Sequence, residues 1–296
     1  MHKIALIGYG YWGKRFLRYL EEQFDVAYIC HRNADESGRF TSNIEKVFKS
    51  DVETVVIATP IDTHYGIAKA ALECGKHVLC EKPLSRSEFE IMDLMDIAQR
   101  SRLHLVTEFT YTFSRSLNLA HELVRDGKIG RLVAVDLSLR HVGRFLTFNV
   151  YWLLATHMLA VLDMFVDIES CSFKQFDLIP NETAVILFNN DTIAGQITVS
   201  LNYPDREARV VLYGEEGTVV YNAFDEVTLR VGTYLKTPGA PSDSLIKDQQ
   251  GFNYDERNNL ALAARYFRDV LDGSIDAFKN SRRAIAVTRT LEKLGV

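Results

Sequence analysis

The aliphatic run Lys3-Ile4-Ala5-Leu6-Ile7 passes directly into Gly8-Tyr9-Gly10-Tyr11-Trp12-Gly13, and the segment after it, to about Gln23, has helical spacing. No other feature constrains the fold as much. A strand, a glycine turn and a helix in this order open a βαβ unit. Gly8 permits the tight turn, Gly10 lets the backbone approach a pyrophosphate, and Gly13 lets helix and strand pack closely. The helix then offers its free N–H groups and positive dipole end to phosphates. Three glycines alone also fit a plain turn; their place between strand and helix points to a dinucleotide.

The tip of the second strand indicates which dinucleotide. About twenty residues beyond the glycines an acidic side chain normally grips the ribose 2′-hydroxyl of NAD. Here Val26-Ala27-Tyr28-Ile29-Cys30 is followed by His31-Arg32-Asn33. With no carboxylate at that tip and Arg32 able to pair with a 2′-phosphate, NADP(H) is preferred over NAD(H). The alternative is a solvated Arg32, with Asp35 or Glu36 holding the ribose.

To about residue 110, short strand-like runs alternate with amphipathic segments, which implies a parallel sheet. Beyond about residue 130 strand-like runs follow one another (LVAVDLSL, TAVILF, IAGQITVSL, ARVVLY, TVVYN, EVTLRV), with helical stretches near Leu117–Asp126 and Tyr151–Phe165. The expected fold class is an α/β Rossmann domain followed by an α+β domain with a large, mostly antiparallel, open-faced sheet. A chain of 296 residues suits two domains, placed at 1–118 for dinucleotide binding and 119–296 for substrate binding and oligomerisation. Residues 236–257 lack apolar periodicity and read as a long loop. Leu260, Ala264, Phe267 and Leu271 then mark one face of a terminal helix.

Several function classes are excluded. A net charge of −5 without a basic cluster argues against nucleic acid. Cys30, Cys74, Cys80 and Cys171 are scattered without CxxC spacing, so neither a zinc site nor a disulfide framework is expected. No metal site is expected elsewhere. The apolar stretch Tyr151–Phe165 is shorter than a membrane span and carries His157 and Asp163. The start of the chain has no leader pattern, and a cytoplasmic location is expected. There is no HExxH, Walker loop or GxSxG.

Residues 54–84, TVVIATPIDTHYGIAKAALECGKHVLCEKPL, carry an ordered series: a strand ending in Ala58-Thr59-Pro60, then His64, then Gly75-Lys76-His77-Val78, then Glu81-Lys82-Pro83. In this series the chain resembles the Gfo/Idh/MocA family of glucose–fructose oxidoreductase and inositol dehydrogenase. The likeness continues through residues 127–145 and, weakly, the terminal helix. It implies that Gly8, Gly10, Tyr11, Trp12, Gly13, His31, Arg32, Thr59, Pro60, His64, Glu81 and Lys82 surround the cofactor. It also implies a cis bond between Lys82 and Pro83, with the lysine stabilising developing alkoxide charge.

The family's second signature, an Asp and a His four residues apart on one helix face, maps onto Leu153 and His157. His157 is retained as a general base; leucine stands where the aspartate should be. Tyr111 and Arg144 fall where relatives meet substrate, and either could compensate. A core histidine, a buried tyrosine and a surface arginine are equally ordinary readings of these three residues, whereas His77 and His104 are expected to be structural. The resemblance implies an oxidoreductase passing hydride between nicotinamide and a secondary hydroxyl or ketone of a sugar, nucleotide sugar or cyclitol, assembled as a homo-oligomer, dimer or tetramer. The departure at Leu153 leaves two alternatives: a cofactor-binding protein without turnover, or a reductase of a non-sugar carbonyl or imine.

Overall fold

The computed structural model describes residues 1–143, 149–235 and 246–296. They form two compact units, Met1–Thr110 with Asn258–Glu292, and Tyr111–Arg257 with Lys293–Val296.

In the first unit the strands are β1 (Lys3–Ile7), β2 (Asp25–Cys30), β3 (Phe40–Thr41), β4 (Thr54–Ile57), β5 (His77–Glu81) and β6 (Leu105–Glu108). They pair in parallel in the order β3-β2-β1-β4-β5-β6. This order winds outward both ways from β1 and β4, and dinucleotides bind beyond the strand ends where the winding reverses. The connecting helices are α1 (Tyr11–Leu20), α2 (Ile44–Phe48), α3 (His64–Glu73) and α4 (Glu88–Ser101). α1 buries Gly13, Phe16, Leu17 and Leu20, one stripe at helical spacing. β1 and β4 are buried almost throughout, as strands covered on both faces must be. Sequence spacing gave no sign of β3 or α2, which are too short to show a period.

Two C-terminal helices, α7 (Asn259–Leu271) and α8 (Phe278–Leu294), group mostly with this first unit, although in sequence they follow the second. The physical reasons are visible at both ends of the sheet. α7 lies on α1, with Phe267 6.3 Å from Phe24 between ring centroids, and Arg268 Nη1 donates to Gln23 Oε1 at 2.6 Å. α8 caps the free edge of β6: Asn280 Oδ1 accepts from Thr107 N at 2.7 Å, its Nδ2 donates to Thr107 O at 2.9 Å, and Ser281 Oγ donates to Leu105 O at 2.8 Å. Side chains thus satisfy backbone groups that another strand would otherwise pair.

The second unit holds β7 (Leu132–Arg140), β8 (Ser172–Ile179), β9 (Thr183–Asn189), β10 (Ala194–Ser200), β11 (Glu207–Gly214), β12 (Gly217–Asn222), β13 (Leu229–Tyr234) and β14 (Ile246–Phe252). Their order is β14-β13-β12-β11-β7-β10-β9-β8, antiparallel except for β7 beside β10. Its helices are α5 (Arg115–Arg125) and α6 (Thr156–Leu162). On β9, Ala184, Ile186 and Phe188 are buried while Leu187 between them is 42% exposed, the alternation of a sheet with one covered face.

β14 corrects the reading of 236–257 as one loop. The strand is polar because it is an edge whose side chains are mostly exposed, and its backbone pairing with β13 needs no apolar alternation. No helix of the described residues is long and apolar enough to cross a membrane.

Candidate functional site

The glycines of the first turn divide into two kinds. Gly8 has φ +102°, and a Cβ there would lie 2.4 Å from Ala58 O; a Cβ on Gly13 would lie 2.0 Å from Gly8 O. Both are demanded by the protein's own packing. Gly10 has φ −81°, and a Cβ on it would meet no atom of the described residues within 4 Å. Neither backbone conformation nor packing asks for glycine at this position. The open space beside the Gly10 backbone at the start of α1 would admit a pyrophosphate. The N-terminus of α1 has no side-chain cap and no acid in its first turn, so its N–H groups and dipole favour an anion. Tyr11 and Trp12 stand exposed beside it, at 42% and 45%.

At the end of β2, His31 is half-buried with its ring 6.5 Å from Tyr9, and Arg32 is exposed. Asp35 and Glu36 are both committed to their own turn. Asp35 Oδ1 accepts from Ser37 N at 3.1 Å and Ser37 Oγ at 2.6 Å; Glu36 accepts from Thr41 Oγ1 at 2.8 Å, from Ser42 Oγ at 2.7 Å and from Ser42 N. These donors hold both carboxyls below their ordinary range. Neither carboxylate is at liberty to take a ribose hydroxyl without giving up these bonds.

The end of β4 and the loop after β5 are tied together by one histidine. His64 is buried, with Nδ1 2.8 Å from Pro83 O and Nε2 2.9 Å from Thr59 O. Its pKa is lowered, chiefly by burial. Thr63 Oγ1 lies 2.7 Å from Thr59 Oγ1 and donates to Pro60 O at 2.6 Å, which closes the Thr59–Pro60 turn. The Lys82–Pro83 peptide is cis, as the resemblance implied. α8 braces the following turn: Thr288 Oγ1 donates to Ser85 O at 3.2 Å, and Arg289 Nη2 donates to Glu88 Oε1 at 2.7 Å.

Lys82 is half-buried at the end of β5. Burial lowers its pKa to about 8, while Glu81 and Glu108 pull it back up. Burial raises Glu81 to about 7 against the pull of Lys82. Glu108 was not among the residues the sequence singled out. An acid closing the strand-like run Leu103–Glu108 was its only sign, because the pairing that sets it beside Glu81 is long-range.

In the second unit a single turn of π-helix, Tyr151–Ala155, leads into α6. Thr156 Oγ1 donates to Trp152 O at 2.8 Å within this widened turn. Despite the widening, Leu153 and His157 are the two residues of 150–162 that are not buried, so they share one face as their spacing predicts. Tyr111 packs edge-on against His157, with ring centroids 5.3 Å apart at 85°. Burial pushes the Tyr111 phenol up to about 12, with Arg206 opposing and Glu256 assisting. Tyr111 therefore stays a neutral hydroxyl at working pH. Arg144 lies outside the described residues. His77 and His104 stack at 5.0 Å, and His104 N donates to His77 Nδ1 at 2.9 Å, a pairing that ties β5 to the start of β6. Among the described residues no three His, Cys, Asp or Glu side chains form a metal cluster.

Comparison with known proteins adds four findings. Residues 2–109 match the family described as oxidoreductase family, NAD-binding Rossmann fold. An uncharacterized oxidoreductase of Schizosaccharomyces pombe is 31% identical over 145 residues, 45% of this chain and 38% of that protein. Levoglucosan dehydrogenase of Pseudarthrobacter phenanthrenivorans is 37% identical over 84 residues, 28% of this chain and 22% of that enzyme. The chain thus spans about two fifths or less of the length of these curated relatives. Among solved structures, UDP-N-acetylglucosamine 3-dehydrogenase from Acidithiobacillus ferrooxidans superposes with a TM-score of 0.85 at 18% identity, covering 99% of this chain and 96% of that one. At that identity the likeness is one of fold.

Proposed function

We propose that the chain, whose residues 2–109 match the Gfo/Idh/MocA oxidoreductase family, transfers hydride between NADP(H) and a secondary hydroxyl or ketone of a sugar, nucleotide sugar or cyclitol. The observation that carries the reading is Lys82, placed just past the carboxyl end of a Rossmann strand, directly after Glu81 and beside the paired Glu108 of the neighbouring strand. When bound, the nicotinamide supplies or accepts the hydride. Lys82 offers its positive charge and N–H donors to the substrate oxygen as negative charge develops there. His157 takes or returns the hydroxyl proton, and Tyr111, packed on it, restricts the imidazole's orientation and donates to a substrate oxygen. Arg32 pairs with the 2′-phosphate. The sugar class draws on relatives whose names state such substrates, levoglucosan and UDP-N-acetylglucosamine.

Phe176 on β8 and Leu187 on β9 are exposed on the same face of the second sheet, which supports the expected homo-oligomer. The proposal extends to a cytoplasmic enzyme that acts without nucleic acid or membrane.

The test is steady-state turnover on a panel of sugars, nucleotide sugars and cyclitols with NADPH and NADP⁺. On any substrate found, Lys82→Met and His157→Ala should each lower kcat by about 10²–10⁴ while leaving cofactor affinity nearly unchanged. Leu153→Asp restores the family pair one turn before His157 and should raise kcat if the missing carboxylate limits the rate. Undiminished turnover in the Lys82 and His157 variants would refute the site, and no turnover on the whole panel would favour a cofactor-binding protein.

A further inference from the structure

Glu81 and Glu108 close the neighbouring parallel strands β5 and β6 in direct register. Residues so paired send their side chains to the same face, and Lys82 follows Glu81 immediately. Glu108 has no exposed surface. Its Oε2 accepts from Thr110 Oγ1 at 2.7 Å, and its Oε1 is buried with no hydrogen-bond partner among the described residues. A carboxylate oxygen left bare in this way is costly, whereas a protonated carboxyl is much less so. The backbone beneath it is held on both sides, by β5 and by the Asn280 amide at Thr107.

Charge decides where the protons go. Two ionised carboxyls beside one ammonium would leave a net negative charge in a buried site; one proton shared by the carboxyl pair makes the trio neutral. Glu81 is the better carboxylate, since it is half-buried and Lys82 N donates to its Oε2 at 3.2 Å. Glu108 is therefore the residue that carries the proton at neutral pH. Burial holds its carboxyl well above the usual range and the Glu81 charge adds to this, whereas Thr110 and Lys82 pull the other way. His64, which reaches the same loop through Pro83 O, is the further titratable group that feels the Lys82 charge.

We propose that Glu108 is a positioning residue for Lys82, a buried carboxyl on the adjacent strand whose ionisation sets how firmly the lysine ammonium is held in its charged form. It deepens the proposed function and rests on that reading only for its effect on turnover. As pH rises, loss of the Glu108 proton places a second carboxylate beside Lys82 and strengthens the lysine's hold on its own proton. A neutral residue at 108 removes that support.

The test reads Lys82 directly. In the full-length protein, pH-dependent competitive labelling with a small amine-acylating reagent, resolved by peptide mass spectrometry, gives the titration midpoint of Lys82 without any assay of activity. Glu108→Gln should move that midpoint down by about one pH unit, and Glu108→Asp should stay near the wild type. Thr110→Val removes the donor that favours ionised Glu108, so its midpoint should shift toward that of Glu108→Gln. This variant also keeps the question open to refutation should Glu108→Gln not fold. A midpoint that is unchanged or raised in Glu108→Gln, or in Thr110→Val where the former is unfolded, overturns the proposal. If the labelling midpoint falls while the alkaline limb of kcat stays in place, Glu108 keeps this role and Lys82 loses its catalytic one.

Discussion

Replacing Gly10 by alanine adds a methyl group where no atom of the described residues lies within 4 Å, on a backbone with φ −81° that alanine adopts without strain. For the folded chain the change is neutral or slightly favourable, since Gly→Ala at a compatible position stabilises by roughly 0.4–1 kcal/mol through the unfolded state. Gly13→Ala is its control. There the new Cβ would sit 2.0 Å from Gly8 O, a backbone atom that can retreat only by opening the β1–α1 turn. An overpacking cost of about 1–3 kcal/mol outweighs the roughly 1 kcal/mol that alanine gains in helix propensity.

If the space beside Gly10 is where a pyrophosphate approaches, the Gly10 methyl instead acts on binding. Displacing the phosphates from their N–H donors should cost at least about 1.4 kcal/mol, or tenfold in Kd. Thermal unfolding without ligand and fluorescence titration with NADPH and NADH measure the two effects separately. The expected pattern is an unchanged or raised Tm with weakened binding for Gly10→Ala, and a lowered Tm for Gly13→Ala. A Gly10→Ala variant that binds both cofactors as the wild type does would refute the placement of the pyrophosphate. A Tm loss as large as that of Gly13→Ala would refute the division of the glycines.

Two further outcomes are expected. NADPH should bind more tightly than NADH, and Arg32→Ala should remove most of the difference, because Asp35 and Glu36 are engaged in their own turn; equal affinities in the wild type would count against Arg32 as the phosphate partner. Burial lowers His77 to about 4, with the stacked His104 adding to the effect. Above an ordinary histidine pKa of about 6.5 this costs nothing. Between 6.5 and about 4 the unfolded chain takes up a proton that the folded chain refuses, so stability falls as pH falls through this window. Urea unfolding at pH 7.5 and pH 5 should show the loss in wild type and a smaller one in His77→Asn; equal losses would assign the pH dependence elsewhere.

The features legible from the chain alone are those decided over a few neighbouring residues. The turn at Gly8, the close pass at Gly13, the alternation of strands and helices to about residue 110 and the string of strands beyond 130 each rest on local conformation and side-chain period. Lys82, His64 and His157 are singled out by short motifs, and the shared face of Leu153 and His157 follows from helical spacing even through a π-turn. Other features depend on partners far along the chain. The parallel pairing of β7 with β10 inside an otherwise antiparallel sheet, the polar edge strand β14, and the return of α7 and α8 to the first unit are settled by which backbone groups and apolar faces find each other. Glu108 shows the difference most clearly. Twenty-seven residues separate it from Glu81, and no period or motif links them; only the register of β5 on β6 sets the two carboxyls side by side and turns an ordinary strand-end acid into a charge neighbour of Lys82.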